Sequence, residues 1–288
     1  MLSSRAIQRR LKTVLDTGKV AKAMKAVSVS KMRKAEQALD AATSYHDAFL
    51  DVIARIRALP ETSAHPLLQS PGEDVPTAVV VLAADRGLCG SYNQRVLDLA
   101  DAYIDSHDVA EVCTLGRKAL RRMERHAPEL LHDFAEEIGS LADWEMSRSL
   151  SAHLQNLLER GHVDQIVFVQ NRFVNAMTYD TDAYPLLPLS SESGQAPPTS
   201  PIVEPEAQKL VLAVLYRYMS ARVQLAVSQA IAAEHAARMV AMTDAYDNCM
   251  DLRHSLTIQL NKLRQASITK ELLEIVSGAE ALKGSKND

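Results

Sequence analysis

Proline is confined to the middle of this chain. The 288 residues include 11 prolines, and all of them fall between Pro60 and Pro205. Helix interiors exclude proline more strongly than any other residue. The stretch from Gln195 to Ser277 also lacks glycine. The chain therefore divides into a helix-compatible head, a punctuated middle and a helix-compatible tail. We place these at 1–59, 60–205 and 206–288.

The head carries small or apolar residues at Ile7, Leu11, Val14, Ala21, Met24, Met32, Ala35, Leu39, Ala42, Phe49, Ile53 and Ile56. Their steps are mostly three and four, which lines them along one helix face. In the tail the stripe runs through Val211, Val214, Tyr218, Leu225, Ala232, Met239, Met242, Tyr246, Cys249, Leu252, Leu256, Leu260 and Leu263. At about 1.5 Å per residue the head helix spans about 80 Å and the tail helix about 110 Å. A narrow seam on so long a helix calls for a partner helix, and each terminal helix is the natural partner of the other. The alternative is two separate amphipathic helices lying on a globular core. Gly18, Ser28 and His46 sit at or beside the head seam, and Arg253 interrupts that of the tail. If the two pair antiparallel, the longer tail protrudes, and its end is apolar: Leu272, Leu273, Ile275, Val276, Ala279, Ala281 and Leu282. Such a tip predicts a partner that encloses it.

The middle has another rhythm. Ala78–Ala83 reads as a buried strand, followed by the turn Asp85-Arg86-Gly87-Leu88-Cys89-Gly90 and a helix to about Ile104. A short strand at Glu111–Thr114, a helix at Arg117–His126, a helix near Trp144–Arg160 and a strand at Gln165–Val169 follow. Tyr184–Leu189 reads as an edge strand because of its prolines. Alternating strands and helices imply a small α/β domain with a partly parallel sheet, Rossmann-like in rhythm. Ser190–Pro205 reads as the linker into the tail. The fold class expected is thus α/β plus a long antiparallel α-helical coiled coil formed by the terminal helices.

No catalytic constellation emerges. A glycine-containing turn between strand and helix is able to cradle phosphate, yet Gly87 and Gly90 complete neither a dinucleotide fingerprint nor a P-loop. A tight structural turn is the simpler reading, with Asp85 as a cap and Arg86 as a salt-bridge or external contact. His126 and His132 lie near acids without a metal motif, Glu136 and Glu137 read as a solvated face, and Cys89, Cys113 and Cys249 lack ligand spacing. We expect reduced thiols and neither cofactor nor metal. There is no run of about 18 consecutive apolar residues and no secretory-type apolar core near Met1, so we expect a cytoplasmic protein.

Charge is more informative. Arg5, Arg9, Arg10, Lys12, Lys19, Lys22, Lys25, Lys31, Arg33 and Lys34 face a single acid, Asp16, within that span, although the whole chain has net charge −4. A one-sign face suggests an acidic protein, a nucleic acid or an anionic membrane. Few aromatics are available for base stacking, and the apolar seam lies on the same helix, which weigh against nucleic acid. A nucleotide-binding α/β protein and a DNA-binding coiled coil are the competing readings.

Three segments carry a family resemblance. The run from Thr17 to Ala35, with Met24-Lys25-Ala26-Val27-Ser28 at its centre, resembles the N-terminal signature of the γ subunit of F-type ATP synthases. Asp85–Gly90 with Asn93 resembles that family's motif after the first strand. Asn261-Lys262-Leu263-Arg264-Gln265-Ala266-Ser267-Ile268-Thr269-Lys270-Glu271 onward to Ala279 is similar to its C-terminal signature. Gly18, Ala21, Lys25, Ala26 and the pair Ser91-Tyr92 depart from the usual pattern.

The resemblance implies a non-catalytic rotor shaft that turns inside a ring of three α and three β subunits. It would sit with an ε subunit on the membrane ring of c subunits, at the cytoplasmic face of a bacterial inner membrane. The basic residues Lys19, Lys22, Lys25, Lys31, Arg33 and Lys34 would then meet acidic β-subunit loops. Met24 would lie at a coupling position, with Arg264, Gln265 and Thr269 on the opposite helix surface. Leu272, Ile275 and Val276 would turn in an apolar sleeve. The cysteine-bearing insertion of the chloroplast type has no counterpart, so no redox switch is expected.

Overall fold

A computed structural model describes residues 4–57, 75–134, 144–187 and 207–284. The linker expected at Ser190–Pro205, the pair Glu136 and Glu137, and the side chains of Ala279, Ala281 and Leu282 lie outside what is described. The elements in chain order are α1 (Ser4–Arg57), β1 (Thr77–Leu82), α2 (Tyr92–Ser106), β2 (Val109–Leu115), α3 (Arg117–His126), β3 (Leu131–Asp133), α4 (Trp144–Glu159), β4 (Gln165–Asn175), β5 (Thr178–Leu187) and α5 (Ala207–Gly284). The chain forms two compact units, Met1–Ala26 with Met242–Asp288, and Val27–Ala241.

The first unit is a helix pair. Ile7, Val14 and Leu256 are buried, with Leu11, Cys249, Leu260 and Leu263 packed around them. Gly18 lies against Cys249 and Met250, and the Lys22 ammonium stands 6.0 Å above the Tyr246 ring. Rising numbers on α1 meet falling numbers on α5, so the pair is antiparallel. On α5 the seam runs through Cys249, Leu256, Leu260 and Leu263, in steps of seven, four and three. Leu252, which the sequence placed in the seam, is exposed; it lies off the line those four define.

In the second unit the same two helices run antiparallel, His46 facing Tyr218 at 5.5 Å between ring centroids. They also cover one face of a five-stranded sheet ordered β3-β2-β1-β4-β5. β1 pairs in parallel with β2 and β4, β2 in parallel with β3, and β4 antiparallel with β5. All six residues of β1 are buried, as a central strand covered on both faces requires. Ala78, Val80 and Leu82 point into a core shared with α4, Ile53, Ile56, Val211, Leu215 and Met219. Val79 and Val81 point into the opposite core with Val96 and Ala100 of α2 and Ala119 and Met123 of α3. This alternation places helices on both sides of the sheet.

α5 contains one 18-residue window apolar enough, by length and composition, to cross a membrane, and half of that window is buried within the protein. Its apolarity follows from packing: in the second unit α5 buries Val223, Ala226, Val227, Ala230, Ala233 and Ala236, more than a two-helix seam needs. The strand read at Gln165–Val169 continues to Asn175 and turns back into β5. There the Asn175 side chain accepts the Met177 N–H at 2.9 Å, forming the turn. The three-residue β3 was not read from the sequence.

Candidate functional site

Two features are candidates for function: the Asp85–Gly90 turn in the second unit, and the exposed residues of the terminal helices.

The turn is held by a network that converges from three elements. Asp85 accepts the Arg117 N–H at 3.0 Å, so it caps the start of α3. Asn93, in the first turn of α2, accepts the Ala84 N–H at 2.9 Å. Its amide donates to the Arg86 carbonyl at 3.4 Å and approaches the Cys89 sulfur at 3.2 Å. From α5, Arg238 donates to the carbonyls of Arg86 and Gly87 at 3.4 and 3.3 Å. Its other terminal nitrogen pairs with Glu234 at 2.5 Å. Gly90 takes φ +58°, the left-handed region that glycine adopts without a Cβ penalty. A Cβ at Gly87 would meet nothing within 4 Å, so crowding does not demand a glycine there. The Arg86 side chain is exposed.

The loop thus offers carbonyl oxygens to a guanidinium of its own chain. A phosphate cradle needs the reverse, backbone N–H groups turned inward. Beneath the loop, Ala84, Cys89 and Tyr92 pack on Ala233 and Ala237, small residues that admit close approach to the helix. The fully buried Tyr92 hydroxyl donates to the Ala230 carbonyl at 2.9 Å, and burial pushes its pKa well above the ordinary tyrosine value. Asn171 of β4 donates to the Tyr92 carbonyl at 2.9 Å. Burial also raises the Cys89 thiol, against the opposing charge of Arg238. The sequence reading missed Arg238, Glu234 and Tyr92. The available signal was a Glu-Arg pair at i,i+4, Glu234 and Arg238, in an alanine-rich stretch of the tail.

The α1 cations fall on both units. In the first, Lys19 and Lys22 are exposed, while Met24 and Lys25 are partly covered; Lys19 pairs with Asp16 at 3.0 Å. In the second, Lys31, Arg33 and Lys34 are exposed. Lys31 also bears on the buried His235, whose pKa is lowered to about 4 by burial first, then by Arg238 and Lys31. On α5 in the first unit, Arg264, Gln265 and Thr269 are exposed. So are Leu272, Leu273, Ile275 and Val276, at 58%, 62%, 67% and 53%.

These features define a class: an α/β-domain protein built on an antiparallel pair of terminal helices, with a cationic α1 and an uncovered apolar end on α5. The family model described as ATP synthase matches residues 3–282. The ATP synthase gamma chain of Desulforamulus reducens is 33% identical over 98% of this chain and 100% of its own length. That of Nitrosomonas europaea is 36% identical over 98% and 100%. The fold is shared with a chain of the mitochondrial ATP synthase of Euglena gracilis, with TM-score 0.69 at 19% identity over 99% and 96% of the two chains. A chain from the central stalk and c-ring structure of the Tetrahymena thermophila enzyme gives TM-score 0.61 at 22% identity, over 78% and 99%. The chain belongs to the ATP synthase gamma-chain family.

Proposed function

We infer that this chain is the central rotor shaft of an F-type ATP synthase, turning inside a ring of α and β subunits without catalytic residues of its own. One observation carries the reading: the last described turns of α5 expose a run of large apolar side chains that water alone would not favour. An enclosing sleeve of protein removes that cost. An apolar bearing also suits rotation, because few hydrogen bonds have to break at each step.

The exposed cations Lys19, Lys22, Lys31, Arg33 and Lys34, with the partly covered Met24 and Lys25, meet acidic loops of the β subunits. Arg264, Gln265 and Thr269 present the other helix surface to the ring. The sheet domain, with an ε subunit, rides on the c-ring at the cytoplasmic face of a bacterial inner membrane. Rotation brings a different face of the shaft to each of three otherwise equivalent sites, which biases each toward a different conformation and nucleotide affinity.

The test is accessibility of the tip in the assembled complex. In an Ile275→Cys chain that also carries Cys249→Ser, a water-soluble maleimide should react quickly with the free protein. Reaction should be strongly slowed after assembly with α and β subunits. Equal rates in both states would refute an enclosed tip. In the same complex, Lys22→Glu with Lys31→Glu should reduce ATP-driven ion pumping more than ATP hydrolysis; unchanged pumping would reject the assigned contact face.

A further inference from the structure

At the β3 edge of the sheet, on the face that α4 covers, three ligand-type side chains from separate elements converge. Glu111 comes from β2, His132 from the edge strand β3 and His153 from α4. One donor atom from each lies within 4.8 Å of the other two. The strand register sets His132 beside Cys113, two residues from Glu111. His153 Nε2 is in hydrogen-bond contact with Glu111 Oε1. The rings of His132 and His153 stack with centroids 4.0 Å apart, and Phe134 closes one side, 4.8 Å from the first ring and 5.5 Å from the second. Glu111 and His153 are only 19% and 22% exposed, whereas His132 is open to solvent.

We propose that Glu111, His132 and His153 form a binding site for a divalent transition-metal ion of the zinc class. The proposal is independent of the shaft reading, because none of the three faces the helix seam. Two imidazoles and one carboxylate suit zinc or cobalt and discriminate against magnesium and calcium, which take oxygen donors. Zinc bonds of about 2.0–2.2 Å set tetrahedral donors about 3.4 Å apart, and the three donor atoms, within 4.8 Å of one another, must draw together to bind. Three protein ligands leave a fourth position for water.

The buried Cys113 thiol donates to Glu111 Oε1 at 3.7 Å, which orients the carboxylate. Binding requires two rearrangements. His153 must shift its proton to Nδ1 so that the Nε2 lone pair faces the metal. Stacked rings cannot both aim in-plane lone pairs at one ion, so the exposed His132 must swing out of the stack.

The experiment is titration of the full-length chain with Co²⁺ and Zn²⁺. Visible absorption of tetrahedral cobalt, its displacement by zinc, and imidazole nitrogen NMR are the readouts. One equivalent of cobalt should give the tetrahedral bands, zinc should abolish them, and His153 should convert to the Nδ1–H tautomer. His132→Ala, at an exposed edge, should keep the helical circular dichroism of the parent and lose at least about tenfold in affinity. Glu111→Gln should do the same, and His107→Ala, outside the cluster, should leave affinity unchanged. Absence of the tetrahedral bands, or equal affinity in His132→Ala, would overturn the assignment.

Discussion

Arg238→Met isolates what the α5 helix contributes to the Asp85–Gly90 turn. Methionine keeps most of the aliphatic stem, so packing on the neighbouring alanines is largely preserved. The guanidinium is lost, and with it two long hydrogen bonds to the carbonyls of Arg86 and Gly87 at 3.4 and 3.3 Å. Bonds of that length contribute about 0.5–1 kcal/mol each. The larger loss is at Glu234. Its side chain is 20% exposed and that of Arg238 10%, so an ionised Glu234 is left largely desolvated without a partner, at about 1–3 kcal/mol. The total is about 3 kcal/mol, or a factor of about 100 in the opening equilibrium of the turn. Native-state amide exchange over residues 84–93 reads that equilibrium directly. The double variant Glu234→Gln with Arg238→Met should recover at least half of the lost protection, because the unpaired charge is gone. Unchanged protection in the single variant, or no recovery in the double, would refute the claim that this ion pair anchors the turn.

Gly18→Ala puts a Cβ 3.1 Å from the mobile Met250 methyl and 3.4 Å from Cys249 Cβ, and helix propensity favours alanine by about 1 kcal/mol. Amide exchange around residue 18 should therefore slow by about fivefold; faster exchange would mean that Met250 does not yield. Gly116→Ala places its Cβ 1.9 Å from the Ala83 carbonyl oxygen at φ +91°. It should lower the thermal midpoint of the sheet domain sharply, and a shift of only a degree or two would contradict the β1–α3 geometry. His235, lowered from 6.5 to about 4 in the folded state, is neutral there while the unfolded chain takes up a proton. Its stabilising contribution is complete above about pH 6.5 and is lost as pH falls toward 4, on the order of 3 kcal/mol in all. His46 is shifted in the same direction, by burial first and then by Arg222. Urea midpoints between pH 7 and 4 should fall less steeply in His235→Gln than in the parent, and parallel curves would rule His235 out.

The long helices were legible because their signal is repeated. Eight of the twelve head positions, Ile7, Val14, Ala21, Met32, Ala35, Ala42, Ile53 and Ile56, are buried in the structure, and so are the irregular positions Gly18, Ser28 and His46. A single misplaced residue such as Leu252 does not disturb a pattern of that length. β1 and α3 were legible for a similar reason, an uninterrupted apolar run and a compact charged helix. The β4–β5 hairpin was not. Its turn is an Asn175 side-chain turn without the Asn-Gly or Asp-Gly that marks hairpins. β5 also begins Thr178-Tyr179-Asp180-Thr181-Asp182, whose acids read as loop. Asp180 and Asp182 are tolerated because the strand lies at the sheet edge, with Arg172 paired across from Asp180 and 4.0 Å from Asp182. The three-residue β3 is too short for any periodicity. The Arg238 anchor and the Glu111–His132–His153 cluster were hidden for a further reason: each joins segments tens of residues apart, and only strand register and helix packing bring them together.

The two kinds of surface on α5 argue for different mechanical roles along one helix. Between Val211 and Ala237 it is buried deeply enough to act as a core element of the sheet domain. The Tyr92 hydroxyl, bonded to the Ala230 carbonyl, and Arg238, bonded to the carbonyls of Arg86 and Gly87, tie the first strand-to-helix turn to it. A force applied to the sheet domain is therefore delivered to α5 through several buried contacts acting in parallel. From Met242 onward the same helix packs along a narrow seam with α1, in which Gly18 replaces a side chain, and its large apolar residues from Leu272 to Val276 are exposed. If the chain turns as the proposed shaft, the lightly paired stretch of α5 is the part that twists. That gradient in packing makes Gly18→Ala more than a stability test. A stiffer seam should leave ATP hydrolysis by the assembled complex near its parental rate, while narrowing the angular fluctuation of a bead attached to the rotor. Equal fluctuation in both would place the compliance outside the α1–α5 seam.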